Sequence, residues 1–298
     1  MDNKVVGEMD ERRITGLTRL LLAGGVAGPI LFIIVFLIEG ATRPGYSPWR
    51  NFVSQLSTGE GGWVQIANFI MCGVLSLGFA LALWSSSSPR LARRLAWGPA
   101  LLALFSLALL AGGAFVTDPA LGYPPGTPLG SQGQTWHGAV HGVAGLLAFG
   151  LLAAACFVYA RRFSGDPEWR GWTAYSSITG TIIALGFIAS TVTSVLDERG
   201  VVPNAPTGVI QRVAIIVGWG WIAIFALRLL RDPRLLVLLG QVNVSTRGDG
   251  TSGFKSRVVA IAVTIIVLIV VILVVLWLAG VFRGGGAATH GAIPQLPI

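Results

Sequence analysis

The chain has 298 residues, of which 53% are hydrophobic and only 11% are charged. Because soluble domains carry about 25% charged residues, this composition and the mean hydropathy of +0.73 exclude an ordinary soluble enzyme. The net charge of +8 would suggest nucleic-acid binding in a soluble chain, but the basic residues here lie in short segments between apolar runs, so we predict no nucleic-acid partner.

Seven apolar runs reach the roughly 20 residues that a helix needs to cross a bilayer. The first run is longer than a signal-peptide core and lacks a small-x-small cleavage site, so we interpret it as an uncleaved helix. The first six spans are predicted at residues 17–38, 63–84, 96–117, 137–160, 173–196 and 208–230. The sequence therefore predicts an all-α, polytopic transmembrane helix bundle with six core spans and a C-terminal seventh.

The predicted organisation has five parts. They are a cytoplasmic leader at 1–16, a six-helix core at 17–230, a cytoplasmic linker at 231–257, a seventh transmembrane helix at 258–282 and an extracytoplasmic tail at 283–298. The seventh span has one hydroxyl residue, Thr264, and few of the small residues that let membrane helices approach closely. We therefore expect it to face membrane lipids or a partner helix, and we place the functional unit in the core.

The distribution of Lys and Arg predicts the orientation. Sixteen of the 21 basic residues lie in the leader or in the segments that follow spans two, four and six, and five lie on the other side. Because cytoplasmic loops carry the excess of Lys and Arg, the N-terminus is predicted to be cytoplasmic.

Polar residues gather on the side that is predicted to be outside. In the first outer loop, Asn51, Ser54 and Gln55 are spaced so that a short helix would present them together. Two interpretations stay open: an interfacial helix whose polar side meets water, or a cap over a pocket between the spans.

The second outer loop begins with Asp118 and leads to His137 and His141. An Asp before Pro is a common turn former, and the two His residues share one helix face at the spacing of zinc ligands. A zinc site of His137, His141 and Asp118 is one hypothesis, although residue 138 is Gly and not the Glu of a zinc-protease motif. A hydrogen-bonded structural pair or a proton-sensitive contact is the alternative.

The third outer loop adds Glu198 and Arg199, and Arg212 lies about one turn into the apolar sequence that follows. An unpaired charge towards the membrane centre costs at least about 2.5 kcal/mol. We therefore expect a carboxylate partner for Arg212 among Asp118, Asp197 and Glu198.

These segments together resemble the bacterial and archaeal membrane family called domain of unknown function 998. The resemblance covers about residues 17–232 and is carried by four marks: Asn51…Ser54-Gln55-Leu56, Asp118-Pro119, His137-Gly138…His141 and Gly208…Gln211-Arg212. It implies the six-span architecture, a bacterial or archaeal cytoplasmic membrane and this set of residues, but no reaction.

Three functions compete. The first is a non-catalytic binding, sensing or scaffold protein, which agrees with the absence of a complete catalytic motif. The second is an intramembrane hydrolase, either zinc-dependent or with Ser54 as nucleophile, a His as base and Asp118 orienting it. The third is a proton-coupled transporter that uses Asp118, His137 and Glu198 as a relay. The first is preferred, with candidate binding residues Asn51, Ser54, Gln55, Asp118, His137, His141, Glu198, Arg199 and Arg212.

Overall fold

The computed structural model describes residues 16–85, 97–128, 130, 133–232 and 234–236. The predicted leader up to residue 15, most of the predicted linker, the seventh helix and the tail lie outside the described residues.

Six long α-helices form the described part. They are α1 (Gly16–Thr42), α2 (Trp63–Ser85), α3 (Trp97–Ala114), α4 (Trp136–Phe163), α5 (Trp172–Glu198) and α6 (Thr207–Arg231), with short 3₁₀ helices at Val53–Ser57 and Pro167–Trp169. All six are long and apolar enough to cross a membrane, which confirms the predicted all-α polytopic fold for the core. The predicted bounds are close: α1 continues past Ile38 to Thr42, and α3 ends at Ala114 rather than at Thr117.

Exposed tryptophans mark the two membrane boundaries along α2. Trp63 and Trp84 begin and nearly end this helix, and their exposed fractions are 71% and 47%. At about 1.5 Å per residue their separation is roughly 32 Å, close to the ~30 Å hydrocarbon core of a bilayer. Indole rings favour the membrane–water interface, so this placement agrees with a transmembrane α2.

The helices form a closed ring in chain order. Each packs against the next, and α6 packs against α1. One end of the ring, here called the cap end, carries residues 43–62, 115–128, 130, 133–135 and 199–206, which we call the cap. The opposite end, here called the basic end, carries Arg161 and Arg162 in the last turn of α4 and Arg170 between α4 and α5.

Aromatic rings fill the half of the bundle nearer the basic end. The ring of Phe225 lies 4.9–5.9 Å from the rings of Phe79, Tyr159, Phe163 and Trp221. Helix α1 approaches this cluster closely at Gly25, where a Cβ atom would lie 2.6 Å from the Phe79 ring. Contacts among buried aromatic rings therefore join the helices in this half of the bundle.

Candidate functional site

The first cap segment is fastened to the second by buried amides. The Asn51 Nδ2 donates to the Leu121 carbonyl oxygen at 3.1 Å, and the Gln55 amide donates to the carbonyl oxygen of Ala120. Asn51 and Gln55 are only 2% and 1% exposed. Their polar groups therefore point into the protein and not into water, which favours the cap over the interfacial-helix interpretation. The 3₁₀ helix contains Gln55 and Ser54, whereas Asn51 precedes it.

An ion pair fastens the first cap segment to the end of α5. Arg50 donates to both carboxylate oxygens of Asp197, through Nε and an Nη, at 2.7 Å each. Asp197 also accepts from the Asn204 backbone N–H at 3.1 Å, which ties the third cap segment to the same carboxylate. The Glu198 carboxylate, also at the end of α5, accepts from the Leu121 N–H of the second segment at 3.0 Å. Arg199, at the end of α5, is exposed.

Arg212 does not have the carboxylate partner that we expected. Its guanidinium is buried and donates to the carbonyl oxygens of Pro48 at 2.7 Å, Asn51 at 3.0 Å and Gly208 at 2.9 Å, and to the Tyr46 hydroxyl. The prediction is wrong because the backbone of the cap folds over Arg212 and supplies enough oxygen dipoles to solvate the charge. A Cβ on Gly208 would collide with this backbone, which explains why a glycine occupies this position.

Tyr46 completes the surroundings of Arg212. Burial raises the pKa of Tyr46 to about 12, although the neighbouring guanidinium of Arg212 acts in the opposite direction. The phenol therefore stays protonated at neutral pH and donates to the Phe52 carbonyl oxygen at 2.9 Å. These contacts make the site around Arg212 part of the cap's framework, with both Nη groups bonded to protein oxygens.

Asp118 serves the start of α4. It accepts from the Thr135 backbone N–H at 3.0 Å and from the Thr135 hydroxyl at 2.6 Å, while that hydroxyl accepts from the Gly138 N–H at 3.1 Å. Thr135 is the N-cap of α4, and a carboxylate at a helix N-terminus is favoured by the helix dipole. A Cβ on Gly138 would collide with the Asp118 carboxylate. Helix capping thus explains Asp118 and Gly138 of the sequence marks, whereas His137 takes no part in these contacts.

The two His residues occupy different environments. His137 is exposed and its ring lies 3.8 Å from that of Trp136. His141 is buried, and its Nδ1 lies 3.0 Å from the Gly112 carbonyl oxygen and 2.8 Å from that of Phe115. Since a carbonyl oxygen only accepts, these contacts assign a proton to Nδ1, and in a neutral imidazole Nε2 is then a hydrogen-bond acceptor.

The described residues do not fit a zinc site. No hydrogen bond joins either His to Asp118 within the described chain, and no group of three His, Cys, Asp or Glu residues there is arranged to hold a metal ion. We therefore derive no chemistry through zinc for His137, His141 and Asp118.

A cavity of about 350 Å³ lies beneath the cap. Phe52, Val53 and Ser54 of the first cap segment line it, and all six helices contribute to its walls. Most of the wall is apolar and includes Phe32, Phe69, Phe105, Phe149, Ile183, Ile215 and Trp219. The polar residues in the lining are Ser54, Thr117, His141, Thr191, Ser194 and Gln211.

Several residues of α4 and α5 on the cavity wall are partly exposed. Gly142 lines the cavity and is also exposed, and a Cβ on the next lining glycine, Gly145, would meet nothing within 4 Å. On α5, Thr191 and Ser194 line the cavity and are half-buried. These residues point to an opening between α4 and α5, two helices that are long and apolar enough to cross a membrane.

The geometry does not assemble the catalytic groups of the hydrolase hypothesis. Ser54 and His141 line the same cavity, but no hydrogen bond joins them in the described chain, and the Asp118 carboxylate is held by Thr135. The transporter relay is also not assembled, because neither Asp118 nor Glu198 lines the cavity and His137 is exposed.

The structure adds polar residues that the sequence reasoning missed. Glu39 in α1 is buried and forms an ion pair with Arg43. In α2, the buried Asn68 donates to the Phe32 carbonyl oxygen and to Gln65 Oε1, both at 3.2 Å. The sequence did contain a signal for these residues, because each is an ionisable or amide residue inside an apolar run. In a membrane segment such a residue indicates a candidate functional site. Gln211, which the sequence analysis noted only as part of a family mark, also lines the cavity.

Comparison with models of protein families shows which family the chain belongs to. The family model described as Protein of unknown function (DUF998) matches residues 26–228. The chain belongs to this family. The match covers nearly the whole six-helix ring, and it confirms the resemblance that the four sequence marks indicated. No curated protein matches, and no solved structure matches.

Proposed function

We propose that this multi-pass membrane protein binds one apolar or amphipathic molecule in the cavity beneath the cap, as a non-catalytic binding or sensing protein. The observation that carries the proposal is the cavity itself. Ligand sites usually occupy about 300–1,000 Å³ and have apolar walls with a few placed polar groups. The cavity of about 350 Å³ has this character, with aromatic walls and its polar residues on the cap side.

The position of the opening supports a ligand that comes from the bilayer. Gly142 and Gly145 leave room between α4 and α5, whereas the cap side is closed by the buried contacts of Asn51, Gln55 and Arg212. A lipid chain can enter sideways without leaving hydrocarbon, so it avoids the cost of exposing apolar surface to water. We place the protein in the cytoplasmic membrane with the cap outside, following the distribution of its basic residues.

The residues of the cap act as a frame in this proposal. The charged donors and acceptors of Arg50, Asp197 and Arg212 are taken up by protein partners. They hold Phe52, Val53 and Ser54 over the cavity as a roof, and they are not offered to the ligand.

Filling the cavity tests the proposal. In Gly145→Trp the new indole grows into open space, and Gly220→Trp is the matched control, because a Cβ on Gly220 also meets nothing within 4 Å but Gly220 does not line the cavity. Both variants and the wild type are purified in mild detergent and analysed by native mass spectrometry. We expect an apolar adduct on the wild type and on Gly220→Trp and its loss from Gly145→Trp. An adduct that is equally abundant on all three proteins would contradict the proposal.

A further inference from the structure

Four residues of the cavity wall have a side-chain hydrogen-bonding group without a partner among the described residues. His141 Nδ1 is committed to the carbonyl oxygens of Gly112 and Phe115, which leaves Nε2 as an acceptor without such a partner. Gln211 Oε1 accepts from the Val53 N–H at 2.8 Å, which fixes the amide orientation and leaves Nε2 as a donor without a partner in that part of the chain. The hydroxyls of Ser54 and Thr117 also have no hydrogen bond within the described chain.

These groups are not freely solvated. His141 is 8% exposed and Gln211 is 9% exposed. A buried polar group without a partner costs free energy, and native proteins satisfy most such groups through protein, water or ligand. The cavity therefore favours an occupant that both donates to an imidazole nitrogen and accepts from an amide N–H.

The two remaining polar residues of the wall, both on α5, have less to offer. The Thr191 hydroxyl donates to the Phe187 carbonyl oxygen at 2.9 Å. The Ser194 hydroxyl donates to the Thr191 carbonyl oxygen at 2.8 Å. Their oxygen atoms can still accept, but their protons are engaged in α5. A ligand with only acceptor atoms would therefore find Gln211 and Ser54 but would leave His141 Nε2 unpaired.

The charge of the cavity narrows the ligand class further. Among the described residues no Asp, Glu, Lys or Arg lines it, and the nearby Arg212 directs its two Nη groups to three carbonyl oxygens and the Tyr46 hydroxyl. An anionic head group would be buried here without a counter-charge, which is strongly unfavourable. A neutral head group avoids this cost.

We propose that the ligand is a neutral lipid alcohol, whose hydroxyl donates to His141 Nε2 and accepts from Gln211 Nε2 while its chain lies along the aromatic wall. This inference rests on the proposed binding function and names its ligand class. At roughly 30 Å³ for one water-sized volume, the cavity holds about a dozen such volumes. It therefore accommodates a single chain segment with its head rather than a whole two-chain lipid.

A series of photoreactive probes tests the ligand class. Four probes share one 16-carbon chain with a diazirine and differ in the head group: hydroxyl, methyl ether, methyl ketone or phosphate. The full chain is reconstituted in phosphatidylcholine vesicles with each probe at equal mole fraction, irradiated, and analysed by peptide mass mapping of α4 and α5. We expect the hydroxyl probe to label these helices about three- to tenfold more than the ether or the ketone, because one hydrogen bond is lost in each, and at least about tenfold more than the phosphate.

The variant Gln211→Glu tests the donor directly. It keeps an oxygen for the Val53 N–H but removes the Nε2 donor, and we expect labelling by the hydroxyl probe to fall at least about threefold. Gln134→Glu, an exposed residue outside the cavity lining, is the matched control and should label as the wild type does. Protection of the buried Cys72 and Cys156 from a thiol reagent verifies that each variant is folded.

The outcomes separate this inference from the proposed function. If all four head groups label equally and Gly145→Trp abolishes the labelling, the cavity binds apolar chains but the alcohol assignment is overturned. If Gly145→Trp leaves the labelling of every probe unchanged, the proposed function is overturned as well. Unchanged labelling in a folded Gln211→Glu would also contradict the assigned hydrogen bond.

Discussion

Replacing Arg50 with Met removes the guanidinium that holds the Asp197 carboxylate with two hydrogen bonds of 2.7 Å. The Asp197 side chain is 1% exposed, and its remaining donor in the described chain is the Asn204 N–H at 3.1 Å. Breaking a fully buried pair costs about 3–5 kcal/mol, whereas an exposed pair contributes about 0–1 kcal/mol. Because the Arg50 side chain is 20% exposed, we expect the free energy of unfolding to fall by about 2–3 kcal/mol.

The native cysteines provide the assay. Cys72 and Cys156 are both buried, so a thiol-reactive fluorophore reports their exposure as the detergent-purified protein unfolds on heating. For a chain of this size a change of 1 kcal/mol corresponds to roughly 2–4 °C, so Arg50→Met should lower Tm by about 5–10 °C. Arg170→Met, at an exposed arginine of the basic end, is the control and should change Tm by less than about 2 °C.

A double-mutant cycle decides whether the pair itself is responsible. Asp197→Asn removes the buried charge, so adding Arg50→Met to it should cost much less than Arg50→Met alone. We expect a coupling energy of about 1–2 kcal/mol. Additive effects, or an Arg50→Met variant as stable as the wild type, would refute the view that this ion pair fastens the cap.

Two further predictions address the start of α4 and the orientation of the chain. Gly138→Ala should lower Tm by several degrees in the same assay, because the new Cβ collides with the Asp118 carboxylate. Gly133→Ala is the control and should leave Tm unchanged, because its Cβ meets nothing within 4 Å. Equal Tm values for the two variants would contradict the capping role. In intact cells, an impermeant maleimide should label Gln134→Cys at the cap end but not Ser164→Cys at the basic end, because both positions are exposed and the native cysteines are buried. The reverse labelling pattern would overturn the orientation.

Hydropathy predicted the helices well because each span is a long apolar run. The exceptions have local causes. Helix α1 continues past Ile38 because Glu39 and Arg43 pair across one helical turn. A search for apolar residues places the end of the helix before this polar turn. Helix α3 ends before Thr117, where His141 of α4 bonds to the carbonyl oxygens of Gly112 and Phe115.

Sequence spacing identified several site residues but not their partners. Periodicity shows which residues share a face of one helix, whereas the partners of Arg212 are the backbone oxygens of Pro48 and Asn51, more than 150 positions earlier. Every residue has a backbone carbonyl, so residue type does not show which carbonyls will bind a buried cation. The prediction considered only carboxylates as partners of Arg212 and was therefore wrong. The role of Gln211 was missed for a related reason, since only the folded cap shows that Val53 fixes one end of its amide.

The proposed function requires that an apolar molecule occupies the cavity beneath the cap. The most direct measurement is a high-resolution cryo-electron microscopy map of the full chain in lipid nanodiscs, with a bound antibody fragment to assist alignment. We expect elongated non-protein density that passes between Gly142 and Ser194 and ends against Trp219. A cavity that contains only separate water peaks, or one closed by movement of α4 against α5, would contradict it.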